Sequence, residues 1–316
     1  MDATEEVPSD DASGIAGDVG SASEPSAPLP EVPSAESTVR EVNGVELHVV
    51  AAGDPDDPLV VLLHGYPEFW YGWRDHVAPL VGAGYRVVVP DQRGYNRSEK
   101  PRGTGAYRID RLSGDVVGLV ESADRESARV VGHDWGAAVA WDLALRHPDV
   151  VDRLAICNVP HPTVMERKLR SSLSQIRRSW YVFFYQLPRI PEWLNARNDY
   201  DFYVTAFEEA EPGTFTGTDL GRYRNAWRRD GAVTAMVNWY RAMVRHRNDP
   251  PRERVEPPTL ILWGEEDRWL LPEMAGESLA YCEDGRLERF PDATHWINHE
   301  RRAAVDEHLV EFFEGD

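Results

Sequence analysis

The apolar positions of the chain keep to one rhythm, lose it, and return to it. Two alternating runs, Thr38-Val-Arg-Glu-Val42 and Val45-Glu-Leu-His-Val-Val50, flank Asn43-Gly44, the pattern of a tight hairpin. Short continuous runs follow: Pro58-Leu-Val-Val-Leu-Leu63, Tyr85-Arg-Val-Val-Val-Pro90, Ala128-Arg-Val-Val131 and Arg153-Leu-Ala-Ile-Cys-Asn158. Each is β-branched and bounded by loop residues, as strands buried on both faces are. Helical spacing lies between them, most plainly from Ile109 to Ala123. This alternation predicts an α/β fold with a mostly parallel, doubly wound sheet. Over 160–257 it stops, and the segment is dense in Trp, Tyr, Phe and Arg at helical spacing before a Pro-rich end. That segment is expected to be an inserted helical cap. Thr259-Leu-Ile-Leu-Trp263 and Leu287-Glu-Arg-Phe290 resume the sheet, and a last helix is expected from Arg301 to Phe313. Residues 36–159 and 258–316 then form the core domain, and 1–35, rich in Asp, Glu, Ser, Pro, Ala and Gly, a disordered acidic tail.

Composition narrows the possible partners. The formal net charge of -20 and a pI near 4.9 oppose binding to phosphate backbones or anionic membranes, so no nucleic acid and no membrane insertion are expected. No apolar run reaches the roughly 18 residues of a membrane helix, and the first residues lack the basic start and apolar core of a secretory signal. Cys157 and Cys282 sit in no metal or redox spacing and read as packing residues, so a cytoplasmic protein is expected. No metal-ligand spacing and no dinucleotide fingerprint occur, and no cofactor is expected. Lys100 and Lys168 are the sole lysines. The acidic balance fits either a well-solvated surface or adaptation to high salt.

The candidate chemistry begins at Gly132-His133-Asp134-Trp135-Gly136, where a strand meets a helix through a sharp turn. Small residues on either side let the two elements pack closely and push the residue between them up at the carboxyl end of the sheet. That residue is an aspartate, ionised at neutral pH and nucleophilic without a base. Asp267, in the loop after Trp263, and His295, in Asp292-Ala-Thr-His-Trp296, follow at the ends of later strands. They suit a carboxylate-oriented imidazole base.

Together His64-Gly-Tyr-Pro67, Gly132-His-Asp-Trp-Gly136, Trp263-Gly-Glu-Glu-Asp267 and Thr294-His-Trp296 resemble the α/β-hydrolase fold epoxide hydrolases. The resemblance implies two cap tyrosines that reach the epoxide oxygen. Tyr181 is the best match for the first, with Tyr185 as the fallback, and Tyr240 is the match for the second. It also implies a cis Tyr66-Pro67 bond. The chemistry agrees with it: back-side attack by Asp134 on an sp3 carbon leaves an ester, which water activated by His295 and Asp267 can cleave. The backbone N–H groups of Tyr66 and Trp135 would receive the oxyanion. His64, Pro67, Trp70, Trp239 and Tyr185 are expected around the substrate. The implied activity is hydrolysis of a small-molecule epoxide by water to a vicinal diol, by a monomer or homodimer. A haloalkane or haloacetate dehalogenase is the alternative, disfavoured by Tyr66 and Trp135, and a non-catalytic hydrolase-fold binding protein is a remoter one.

If the acidic surface is a salt adaptation, the melting temperature rises steadily between low and molar KCl, because screening removes self-repulsion. A flat profile in thermal melts leaves only the well-solvated surface.

Overall fold

The computed structural model describes residues 27–315. These form an eight-stranded sheet from β1 (Glu36–Val42), β2 (Val45–Ala52), β3 (Leu59–Leu63), β4 (Arg86–Pro90), β5 (Ala128–His133), β6 (Val151–Cys157), β7 (Thr259–Gly264) and β8 (Gly285–Phe290). The spatial order is β1-β2-β4-β3-β5-β6-β7-β8. β2 is antiparallel to both of its neighbours, β1 and β4, and all the other pairs are parallel. The hairpin turns at Asn43 and Gly44, with φ of 47° and 73°. Positive φ at both positions matches the right-handed twist of the flanking strands. β3, β4 and β7 are buried at every position, which is why their sequences are continuously apolar, whereas β8 lies at the edge and is partly exposed.

Helices α1 (Arg74–Gly82), α2 (Ile109–Glu121) and α3 (Trp135–Arg146) connect the first parallel strands. Between β6 and β7 come α4 (Pro162–Ser171), α5 (Leu173–Arg178), α6 (Trp180–Phe184), α7 (Ile190–Ala196), α8 (Asp201–Phe207), α9 (Gly217–Trp227) and α10 (Ala232–Arg245). Apart from a bridge between Val255 and Cys282, this stretch shows no β pairing among the described residues. α11 (Glu273–Leu279), α12 (Ile297–Glu300) and α13 (Arg302–Glu314) complete the chain. Indole donors stitch the inserted helices to the loops of the sheet. Trp227 Nε1 donates to Pro67 O at 2.6 Å and Trp239 Nε1 to Arg93 O at 3.0 Å, while Trp296 Nε1 reaches Ala206 O at 3.0 Å. Each buries a large apolar body and spends its one polar atom on a carbonyl that would otherwise lose its water.

Most of the expected disordered tail, 1–26, lies outside the described residues. Residues 27–35 differ from that expectation. They turn at Val32 and Ala35, pack Ala27, Val32 and Ala35 on the core, and accept the Gly53 N–H on Ser34 Oγ at 2.8 Å. Pro28, Pro30 and Pro33 already restrict this stretch, so ordering it costs less chain entropy than its polar composition suggests. Among the described residues no helix is long and apolar enough to cross a membrane.

Candidate active site

β5 ends at His133 and α3 begins at Trp135, and Asp134 between them holds φ 50° and ψ -121°. A non-glycine residue there stores on the order of 1–3 kcal/mol of strain, which the surroundings must impose. They do so by close approach. A Cβ built on Gly136 would lie 2.1 Å from Leu63 O, and one on Gly132 would lie 2.5 Å from Gly136 O. With both side chains absent, α3 seats against β3 and the Asp134 carboxylate is lifted over the end of the sheet.

Asp134 Oδ1 accepts the Tyr66 N–H at 2.6 Å, and Oδ2 lies 3.5 Å from His295 Nε2. On the far side of the ring, His295 Nδ1 is 2.7 Å from Asp267 Oδ2. Asp267 is buried but well supplied with donors. Trp269 N–H (2.7 Å) and Leu270 N–H (2.9 Å) meet Oδ1, and Asn158 Nδ2 (2.8 Å) meets Oδ2. Burial alone would raise the Asp267 pKa; the His295 charge and these hydrogen bonds outweigh it and hold the carboxyl below its ordinary value. For His295 burial alone would favour the neutral ring, yet Asp267 and Asp134 outweigh it and hold the imidazolium well above its usual range. His133 Nε2 lies 2.8 Å from His295 O and steadies the histidine loop against the elbow. The Tyr66-Pro67 bond is cis. No hydrogen bond joins the Trp135 N–H to the Asp134 carboxylate among the described residues.

Over this group stand the tyrosines of α6 and α10. The Tyr240 ring lies 5.0 Å from Tyr66, 5.1 Å from Trp135 and 5.7 Å from Tyr181, in edge-to-face contacts. Burial, and after it the Asp134 charge, raise the pKa of both Tyr181 and Tyr240, so both are neutral phenols. Neither hydroxyl has a hydrogen-bond partner among the described residues. Tyr185 differs, because its hydroxyl accepts the Tyr66 O–H at 2.6 Å. Arg241, next to Tyr240, donates to Tyr185 O at 3.1 Å and Leu187 O at 2.7 Å and pairs with Glu192, so it ties α10 to the turn after α6.

The other residues expected around the substrate fall into two groups. Trp239 packs edge-to-face on Trp135, and Pro67 follows the residue bonded to Asp134. His64 is buried in the same loop, with Nδ1 donating to Gly65 O (2.9 Å) and Nε2 accepting the Gln92 N–H (3.0 Å), and burial lowers its pKa. It is a neutral brace for the loop. Trp70 is not brought to Asp134. Asp91 Oδ1 holds its N–H at 3.0 Å, its ring packs on Phe69 and Tyr71, and it faces a separate cavity beside His48 and Arg97.

Three residues that the sequence did not single out take part. Glu68 is wholly buried, 2.8 Å from His299 Nε2, 3.4 Å from His133 Nδ1 and 2.8 Å from the Tyr223 hydroxyl. Burial would raise its pKa, but the two histidines hold it well below the ordinary value. His299, four residues after His295, is thereby committed to Glu68. Asn158 supports Asp267. Glu209 accepts the Arg268 N–H at 2.8 Å, and burial, opposed by His295 and aided by Asp267, pushes its pKa up to about 7. Position after a strand was the available signal for Asn158; Glu68 and Glu209 read as ordinary loop acids.

A family model described as alpha/beta hydrolase fold matches residues 58–301. The chain is 38% identical over 283 residues to epoxide hydrolase 1 of Caenorhabditis elegans, a match spanning 88% of this chain and 70% of that protein. The chain belongs to the α/β-hydrolase-fold epoxide hydrolase family. It is also 47% identical to the AB hydrolase superfamily protein YfhM of Bacillus subtilis, over 85% of this chain and 95% of that one. The structure of an epoxide hydrolase from Bacillus megaterium in complex with an inhibitor superposes with a TM-score of 0.81 at 29% identity, covering 88% of this chain and all of that one. A mutant of that enzyme has been solved with its product, a naphthyloxy-propane-diol. Among the described residues of this epoxide hydrolase family member no group of three or more His, Cys, Asp or Glu side chains is placed to hold a metal ion.

The elbow packing is testable. Gly136→Ala drives a methyl into backbone that cannot move aside and is expected to cost about 3 kcal/mol or more in a urea melt, whereas Gly82→Ala, with nothing within 4 Å of the new atom, is neutral or stabilising. Equal stability of the two variants would contradict the close approach.

Proposed function

We propose that the chain hydrolyses epoxides to vicinal diols through a covalent ester on Asp134, with His295 and Asp267 activating water and Tyr181 and Tyr240 as donors to the ring oxygen. The observation that carries the reading is a carboxylate at a strained elbow, one oxygen held by the Tyr66 N–H at 2.6 Å, beneath a buried and a half-buried phenol whose hydroxyls have no hydrogen-bond partner among the described residues. The membership of the family supports it.

With Oδ1 held by Tyr66, Oδ2 is free to attack an epoxide carbon from behind. The C–O bond of the ring breaks, and the electron pair passes to an alkoxide that takes a proton from a phenol. A phenol whose pKa is raised by burial keeps its O–H as a donor at neutral pH, and in a water-excluded site that donor stabilises the alkoxide as its charge develops, which lowers the barrier. Alkylation also turns Asp134 from an anion into a neutral ester. His295 loses one of the two carboxylates that hold its proton, so its pKa falls, the proton passes through water to the phenolate, and the neutral ring becomes a competent base. It then takes a proton from water, hydroxide attacks Cγ of Asp134, and Oδ1, already on the Tyr66 N–H, receives the charge. The Trp135 N–H, at the start of α3, is the second donor. Collapse breaks the bond from Cγ to Oδ2, and the diol departs with the enzyme's oxygen. His64, Pro67, Trp239 and Tyr185 wall the site in this reading. The stretch 160–257 acts as a cap that excludes bulk water and brings the phenols.

A single turnover in 18O-water is expected to leave the label in the Asp134 carboxylate and not in the diol, read by mass spectrometry of the protein and the product. Label in the diol on the first turnover overturns the covalent route. Tyr240→Phe or Tyr181→Phe is expected to slow ester formation by about 10²-fold, while Tyr185→Phe, whose hydroxyl serves Tyr66, stays near the parent rate. A larger loss in Tyr185→Phe than in Tyr181→Phe would reassign the donor. Diol formation against halide release on matched substrates separates this reading from dehalogenation.

A further inference from the structure

Away from Asp134, on the far side of the sheet's antiparallel edge, β1, β2 and α9 enclose a cavity of about 200 Å³. Two of its lining residues are Ser37 and His48. In the register of β1 and β2, Val39 lies opposite His48, so Ser37, two residues earlier, is diagonal to His48 on the same face. Its Oγ is 2.8 Å from His48 Nε2, and His48 Nδ1 is 2.7 Å from Asp91 Oδ2. Asp91 is wholly buried, with Oδ1 on the Trp70 N–H at 3.0 Å and Oδ2 also on Asn96 Nδ2 at 2.8 Å. Burial would raise its pKa, but the His48 contacts and the backbone donor outweigh this and hold it below its ordinary value.

An ionised carboxylate only accepts, so in the neutral ring the His48 proton sits on Nδ1, Nε2 carries a lone pair, and the Ser37 O–H donates to it. A histidine kept only for packing would have both ring nitrogens matched by buried groups, one accepting its N–H and one donating to its lone pair. Here the partner on the cavity side is an exposed hydroxyl, and among the described residues a cavity lies beyond it.

We propose that Ser37, His48 and Asp91 form a second catalytic centre that hydrolyses small carboxylic esters, independently of Asp134. The order of the three along the chain differs from that at the elbow, and this is no objection, because such a constellation is defined by geometry and roles. Arg97, Arg222 and Arg229 line the same cavity, and Arg97 has no side-chain partner among the described residues. Their guanidinium groups provide the positive field for a tetrahedral oxyanion and favour esters that carry a carboxylate of their own. Ser37 Oγ attacks the carbonyl carbon as its proton passes to His48 Nε2. The tetrahedral adduct expels the alcohol, which takes that proton, and leaves an acyl-serine. Water then attacks the acyl carbon with its proton going to His48, and the acid departs as Ser37 recovers the proton.

Diisopropyl fluorophosphate is the probe: an Oγ–P bond to Ser37 forms, the P–F bond breaks, and fluoride leaves. Mass spectrometry of the labelled full chain is expected to find the adduct on Ser37. 4-Nitrophenyl hydrogen succinate hydrolysis is expected to survive Asp134→Ala and to fall by about 100-fold in Ser37→Ala. Ser37 is exposed, so that variant folds, and its rate on styrene oxide is the internal check. Absence of the adduct from Ser37, ester hydrolysis unchanged in Ser37→Ala, or ester hydrolysis lost in Asp134→Ala would each overturn the proposal. None of these outcomes bears on the epoxide reading, whose test is the label in Asp134.

Discussion

Contact between α3 and β3 with no side chain between them is the constraint on which the site rests. Gly136 is the point of contact, and the Leu63 and His64 carbonyls occupy the space that a methyl would need. Because the helix cannot back away, the chain has to climb through Asp134 in a conformation that L-residues avoid. The same contact draws the loop after β3 alongside, so that the Tyr66 N–H arrives at the carboxylate. Backbone crowding thus does two jobs: it raises the acid and it delivers the donor.

Once raised, the acid sits among other buried charges, and the fold manages each with dedicated partners. Asp267 receives two backbone N–H groups and an asparagine amide besides His295. Glu68 is flanked by His133 and His299. A buried carboxylate without such donors would take up a proton. His133 joins the two groups, since one nitrogen faces Glu68 and the other the carbonyl of His295. The imidazole is therefore oriented from two directions, through its side chain by Asp267 and through its backbone by His133.

Much of this was legible in the chain. Strands buried on both faces have to be apolar throughout, so β3 to β7 announced themselves, and the Asn43-Gly44 turn marked the hairpin. Asp134, Asp267 and His295 stood at strand ends, and the structure places the His295 ring between the two carboxylates, 2.7 Å from Asp267 and 3.5 Å from Asp134. What was hidden depended on tertiary contact. Tyr181 and Tyr185 are four residues apart and both pack on Tyr240, and what separates them is tertiary: Tyr66 donates to the second hydroxyl and not to the first. Glu68 in a loop resembles any surface acid until two histidines from distant segments close on it. Trp70 turned away because Asp91 captured its backbone, which no local pattern signals. Residues 27–35 looked disordered on composition, whereas the amide of the buried Gly53 provided an anchor.

Arg241 adds one more consequence. By gripping the carbonyls of Tyr185 and Leu187 together with Glu192, it clamps the helix of Tyr240 to the helix of Tyr181. The two phenols therefore belong to one rigid piece. In the proposed reaction, where both phenols meet one oxygen atom, a shift of that piece against the sheet would carry the two together over Asp134, like a calliper whose jaws are locked before it is lowered.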